Sequence, residues 1–184
     1  MRKRRDIVWA AGFLDGEGCL TIRRSTRIKN GKTAIYYQPW IACGMAYTPQ
    51  NEQAILKLQS LFEGHIMQFR QEGNRRDTIV WAVASRLAKL CAEKLEKYLI
   101  VKKSQAQIIL KFYEECELDK NKKVSLEKLQ ERSKYFWELR KLNHKGRLRL
   151  QRLSEETPER VKQQSELQGN EPVGAKPEEV AQIT

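Results

Sequence analysis

Two histidines, His65 and His144, and four cysteines with no CxxC pair leave this chain short of the residues that build zinc sites. Cys19, Cys43, Cys91 and Cys116 stand 24, 48 and 25 residues apart. They read as reduced, half-buried thiols of a reducing compartment, not as a disulfide framework. No stretch approaches the roughly 20 consecutive apolar residues that a membrane-spanning helix needs, so no membrane partner is expected. The nearest imitation of a secretory segment is Arg2-Lys3-Arg4-Arg5 followed by Ile7 to Leu14. Asp15 and Glu17 interrupt it where a cleavage site of small residues would follow. Acids are scarce as well: residues 1–113 carry 20 Lys and Arg against 9 Asp and Glu. A deficit of that size asks for an anionic partner.

What is present fills one domain with appendages. The 184 residues have a formal charge of +12 and an ordinary apolar fraction of 40%, enough for a core without metal or disulfide support. Residues 1–116 form the expected core and residues 117–152 a helical extension. The last segment, 153–184, has no aromatic residue, seven Glu, three basic residues and Pro158, Pro172 and Pro177. It reads as a disordered acidic tail. No segment repeats.

Periodicity gives an α+β layout. A first helix is expected from an N-cap at Asp6 to Leu14, stopped by Gly16 and Gly18. Cys19 to Arg27 alternates as a strand, and after Lys29-Asn30-Gly31 the run Ala34 to Tyr47 returns beside it, with Pro39 marking a bulge or an edge. An amphipathic helix, Asn51 to Phe62, precedes a second hairpin made of His65 to Arg70 and Thr78 to Ala84. Three helical patterns follow: Arg86 to Leu99, Ser104 to Glu115, and Ser125 to about Leu142. The order predicts an antiparallel sheet covered by helices on one face. Whether Ile79, Trp81 and Val83 face the helices or the open side is not decided by periodicity.

With Leu20, Ile22, Ile41, Cys43 and Met45 directed at the helices, Thr21, Arg23, Ser25, Arg27, Gln38 and Trp40 point the other way, joined by Arg70, Arg75 and Arg76. A plain solvated face is one reading. Long donors interleaved with Gln and an aromatic also suit phosphates and base edges, and a two-stranded ribbon fits the major groove of DNA. The charge balance favours nucleic acid.

Asp15 and Glu17 fall at the C-terminus of the first helix, where the macrodipole disfavours acids by about 0.3–1 kcal/mol. A compensating cation is expected there, and a hard divalent ion suits oxygen ligands. The string Ala10-Ala11-Gly12-Phe13-Leu14-Asp15-Gly16-Glu17-Gly18 resembles the signature of the LAGLIDADG homing endonucleases, with Ala in the leading Leu position and Glu as the second acid. The family's αββαββα core, with its antiparallel DNA-binding sheet, matches the order read above, with C-terminal helices beyond it. Tyr98 to Ala106 is similar to the family's stretch bearing a catalytic basic residue.

The resemblance implies roles. Glu17 corresponds to the metal-ligating acid, aided by the Gly16 carbonyl, with Mg²⁺ or Mn²⁺ as the ion. Asp15 corresponds to an acid that caps the partner's helix, while Gly12 and Ala11 belong to the helix face that packs on a second copy. Lys102 corresponds to the basic residue beside the scissile phosphate, and Tyr47 stands where relatives often carry a water-ordering Gln. A single signature implies a homodimer cutting double-stranded DNA at a palindromic or pseudo-palindromic site. The rival readings are an intron maturase binding intron RNA and a non-cleaving DNA-binding protein. The compartment stays open among bacterial cytoplasm, chloroplast and mitochondrion.

Overall fold

The architecture is that of a computed structural model, which describes residues 2–29, 32–71, 76–116 and 124–143. The expected tail, Arg75, and residues 144–152 lie outside the described residues. In chain order the elements are α1 (Arg2–Glu17), β1 (Gly18–Lys29), β2 (Lys32–Ala46), α2 (Pro49–Phe62), β3 (His65–Phe69), β4 (Thr78–Ala84), α3 (Ser85–Leu95), α4 (Lys103–Glu115) and α5 (Leu126–Asn143). The sheet is antiparallel throughout in the order β1-β2-β4-β3. The expected α+β fold is therefore present.

Pairing alternation decides which side chains meet the helices. Leu20 lies opposite Ile41, Cys43 opposite Trp81, and Met45 opposite Ile79. Ile79, Trp81 and Val83 are buried in the core with Leu20, Ile22, Ile41 and Cys43. That settles the facing of β4. The helices present matching stripes: Ile55, Leu58 and Phe62 from α2, Ala88, Cys91, Ala92 and Leu95 from α3, and Ile109 and Phe112 from α4. Burial of large apolar side chains at about 1.5–3 kcal/mol each makes this layer the main source of stability.

Local signals explain several boundaries. Thr48 caps α2 by accepting from the Asn51 N–H at 3.1 Å, and Pro49 opens the helix, where its missing N–H costs nothing. Glu63 and Gly64 then turn the chain with positive φ of 62° and 94°. The Trp81 indole N–H donates to the Glu63 carbonyl at 2.7 Å, drawing β4 against this turn. α5 lies on the same side of the sheet. Phe136 packs against Tyr37 with ring centroids 5.7 Å apart, Tyr135 donates its hydroxyl to Glu115, and Asn143 Nδ2 reaches the Leu20 carbonyl at 2.8 Å. Arg132, one of the basic residues of the extension, is buried with Nη2 donating to the Cys116 carbonyl at 3.1 Å. The described part of the extension is thus built into the same unit as the core.

Two boundaries differ from expectation. α1 does not begin at Asp6 or stop at Leu14; it runs through Gly16 to Glu17 and stops at Gly18, and Asp6 sits inside it, 3.1 Å from Lys57 Nζ. α3 ends at Leu95 instead of Leu99, because the chain turns there toward α1.

Gly64 is where the turn permits no side chain. A Cβ there would lie 2.5 Å from the Ala82 carbonyl oxygen and 2.6 Å from Val83 Cγ1, at a φ that L residues avoid. Gly64→Ala is expected to cost about 1–3 kcal/mol, read as a lower urea midpoint with an unchanged m-value. A midpoint equal to that of the unaltered protein would contradict this packing.

Candidate active site

The site begins where α1 meets the loop that leads into α4. The Asp15 carboxylate accepts three backbone N–H groups, from Ile100 at 2.7 Å, Val101 at 3.2 Å and Lys102 at 2.9 Å. Those groups are the entrance to α4, whose own N-cap residue, Lys102, makes no side-chain capping bond. Asp15 therefore caps α4 from across the fold. This corrects the expectation that it caps a partner's helix. An acid at the wrong end of α1 is at the favourable end of α4.

The return contact comes from Lys102, whose Nζ donates to the Asp15 carbonyl oxygen. An ammonium on a C-terminal carbonyl compensates the negative end of α1. Lys102 thus places one cationic group at that helix end. Lys102 is held by α1 and is not the freely solvated lysine that its neighbour Lys103 suggests.

Glu17, two residues beyond, is exposed, and its carboxylate has no hydrogen-bond or ion-pair partner among the described residues. Gly18 follows at the first position of β1, paired with Cys43. A Cβ on Gly18 would stand 2.6 Å from the Leu14 carbonyl, so only glycine lets the strand leave the helix this closely. Buried Cys43 lies beneath the site. Its thiol is pushed up to about 11, first by burial and then by the Glu17 carboxylate, while Lys102 pulls the other way.

The outer face of α1 is bare. Gly12 and Gly16 have no atom within 4 Å of where a Cβ would be, and Val8, one turn earlier, is 48% exposed. Ile100 and Val101, next to Asp15, are 86% and 68% exposed. Ala11 is not part of this face: with Ala10 and Leu14 it is 0% exposed inside its own core. Its expected place at a dimer interface is corrected, because one position of helical phase separates Ala11 from Gly12.

Tyr47 lies one residue past β2, and its hydroxyl donates to Glu52 Oε2 at 3.2 Å. The Glu52 charge pushes the phenol above its usual value. The structure engages Tyr47 with α2 and not with Glu17 or Lys102.

The open sheet face carries Thr21, Arg23, Ser25 and Arg27 from β1, and Gln38 and Trp40 from β2, as expected. Arg23 lies over Trp40 with its guanidinium 3.5 Å from the ring centroid, and Gln38 Nε2 donates to Ser85 Oγ at 2.8 Å. Burial lowers the Arg23 pKa, with Cys19 acting oppositely. Arg76 lies two residues before β4 and is exposed. Arg70 follows the last paired residue of β3, Phe69, and is exposed. Pairing with Ala82, Val80 and Thr78 adds His65, Met67 and Phe69 to the open face, and Tyr36 joins Gln38 on β2. Only strand pairing could have shown this.

The site thus combines an open antiparallel sheet face bearing arginines with a helix end whose Glu17 carboxylate has no partner among the described residues. The LAGLIDADG endonuclease family model matches residues 10–116, more than half the chain, and the protein belongs to that family. It is accordingly an endonuclease. Among solved structures, the homing endonuclease I-CvuI in complex with DNA is similar at a TM-score of 0.68 and 18% identity, covering 93% of this chain and 99% of that one. The archaeal intron-encoded homing endonuclease I-Vdi141I, complexed with DNA, follows at 0.62 and 16%, covering 90% and 97%. The meganuclease I-SmaMI, at 0.53 and 19%, covers 77% of this chain and 45% of its own. At these identities the likeness is one of fold. No curated protein matches the sequence significantly.

Among the four free thiols, Cys19 is exposed, while Cys43, Cys91 and Cys116 are buried. At pH 8 the native protein should show one fast thiol toward Ellman's reagent and four in denaturant, and Cys19→Ser should remove the fast one. Three or more fast thiols would contradict the buried floor. Because an unfolded Cys43 ionises near 9.0 and the folded one near 11, the unfolded chain binds fewer protons between those values. Unfolding free energy should therefore fall as pH rises from 9 toward 11.

Proposed function

We propose that this endonuclease cuts both strands of a long palindromic or pseudo-palindromic DNA duplex as a homodimer, dependent on Mg²⁺ or Mn²⁺, and so promotes mobility of the intron or element that carries it. The observation behind this reading is the Glu17 carboxylate, without a partner among the described residues, at the end of an exposed, glycine-lined helix face. No group of three or more His, Cys, Asp or Glu suited to a metal ion occurs among the described residues. One chain therefore offers half a centre. Two copies packed through Val8, Gly12 and Gly16, with Ile100 and Val101 beside them, would bring two Glu17 carboxylates together. The chemistry of the donors fits a hard divalent ion: a carboxylate, and the Gly16 carbonyl, which as part of the last helical turn has no intrahelical partner. Such an ion, when bound, neutralises phosphate charge and lowers the pKa of water.

The chain's own residues do the rest. Lys102, fixed through Asp15, presents the ammonium that offsets charge developing on the phosphate. The open sheet supplies phosphate and base contacts from Thr21, Arg23, Ser25, Arg27, Gln38, Trp40 and Arg76. The structures of I-CvuI were obtained with target DNA in the presence of Mg or Ca, which agrees with this reading of duplex and ion.

Cleavage of a plasmid library carrying randomised sites tests it. The unaltered protein should linearise a subset of plasmids only with Mg²⁺ or Mn²⁺, and Glu17→Gln should keep DNA binding while cutting falls about 10²–10³-fold. Gly12→Val should leave the fold intact and shift the sedimenting species from dimer to monomer. Binding of duplex by both proteins with cutting by neither would overturn the nuclease reading. Tight binding of intron RNA without cutting would replace it with a splicing role.

A further inference from the structure

The open face repeats one arrangement along the β1-β2 ribbon. Arg23 pairs across the ladder with Gln38 and lies over Trp40, two residues further along β2. Arg27 pairs with Ala34 and lies over Tyr36, again two residues further, with its guanidinium 5.3 Å from the ring centroid. Both are the diagonal neighbours that a twisted antiparallel pair brings within reach of long side chains. Neither arginine has a carboxylate partner among the described residues.

Stacking has a different chemical consequence from ion pairing. A carboxylate would occupy the N–H edge of a guanidinium, whereas an aromatic ring covers its face and leaves the five in-plane donors available. The ring also restrains a side chain that otherwise loses rotamer freedom on binding. A planar fork of donors held in place is the match for O6 and N7 of guanine in the major groove.

We propose that Arg23 and Arg27 each read a guanine, with Trp40 and Tyr36 as their positioning residues. The inference rests on the duplex-DNA reading above. Four residues of strand cover about 13 Å, and successive base pairs rise about 3.4 Å. Each half-site should therefore hold two guanine preferences about three to four base pairs apart.

Selection of bound duplexes from a randomised DNA library, using the full chain without divalent ion so that sites are recovered uncut, provides the test. The unaltered protein should enrich guanine at two positions with that spacing. Arg23→Ala should lower the preference at one of them by about tenfold and leave the other, and Arg27→Ala should do the reverse. Trp40→Leu should weaken the position that Arg23 controls, and Trp40→Phe, which keeps an aromatic face, should restore most of it; Tyr36→Leu should act with Arg27→Ala. Because Arg23 and Arg27 are exposed, their variants test the idea even if Trp40→Leu destabilises the sheet. Enrichment with unchanged base preferences in the arginine variants, or a uniform loss across all sequences as for phosphate contacts, overturns this inference alone. No enrichment of any duplex by the unaltered protein overturns both readings.

Discussion

Everything at the site hangs on the Asp15 carboxylate. It closes the orphan N–H groups at the entrance to α4, and the lysine at that entrance reaches back to the carbonyl of Asp15 itself. Two helix ends that each need a partner of the opposite sign complete one another. The arrangement accounts for an acid where the dipole of α1 opposes one, since the dipole of α4 favours it. It also sets the separation between Glu17, two residues along α1, and Lys102, at the head of α4.

Binding and chemistry are assigned to different parts of the molecule. The excess of 20 basic over 9 acidic residues in 1–113 produces a field that attracts polyanions at long range. The open sheet gives that field a shape, with Arg23 and Arg27 on the β1-β2 half and apolar Met67, Phe69 and Val80 on the β3-β4 half. α5 supports the ribbon from behind through Phe136 on Tyr37 and Asn143 on the Leu20 carbonyl. A ribbon backed in this way can present side chains in a defined register. Of the acids at 15 and 17, the first is used for architecture, and the second is the one proposed to hold the ion.

Much of this was legible in the sequence. Period-two alternation in β1 and β2 put Thr21, Arg23, Ser25, Arg27, Gln38 and Trp40 on one face, because one residue of slip would have buried all of them. The helix stripe of α2 was equally clear, since Ile55, Leu58 and Phe62 recur at helical spacing. What failed to show depends on contacts between distant segments. Local rules end α1 before Gly16, but bonds between Asp15 and residues 100–102 hold its last turn, and the helix stops only at Gly18. Phase along α1 buries Ala11 with Leu14 and bares Gly12, a difference of one position among three consecutive small residues. β4 reads apolar at nearly every position, so only its pairing with β2 shows that Trp81 is core. The open-face places of His65, Met67 and Phe69 did not show because β3 is short and the alternation of five residues gives no anchor for its phase. Tyr47 had an available partner closer in sequence, Glu52, which spacing alone does not reveal.

The central claim is that Asp15 builds the half-site from within its own chain. Backbone amide hydrogen exchange at Ile100, Val101 and Lys102, compared between the unaltered protein and Asp15→Ala, tests it most directly, with DNA binding and cleavage followed on the same samples. Slow exchange at these three amides that becomes fast in the variant, together with retained duplex binding and lost cutting, is the predicted result. Fast exchange at all three in the unaltered protein, or full cutting by the variant, would contradict the account.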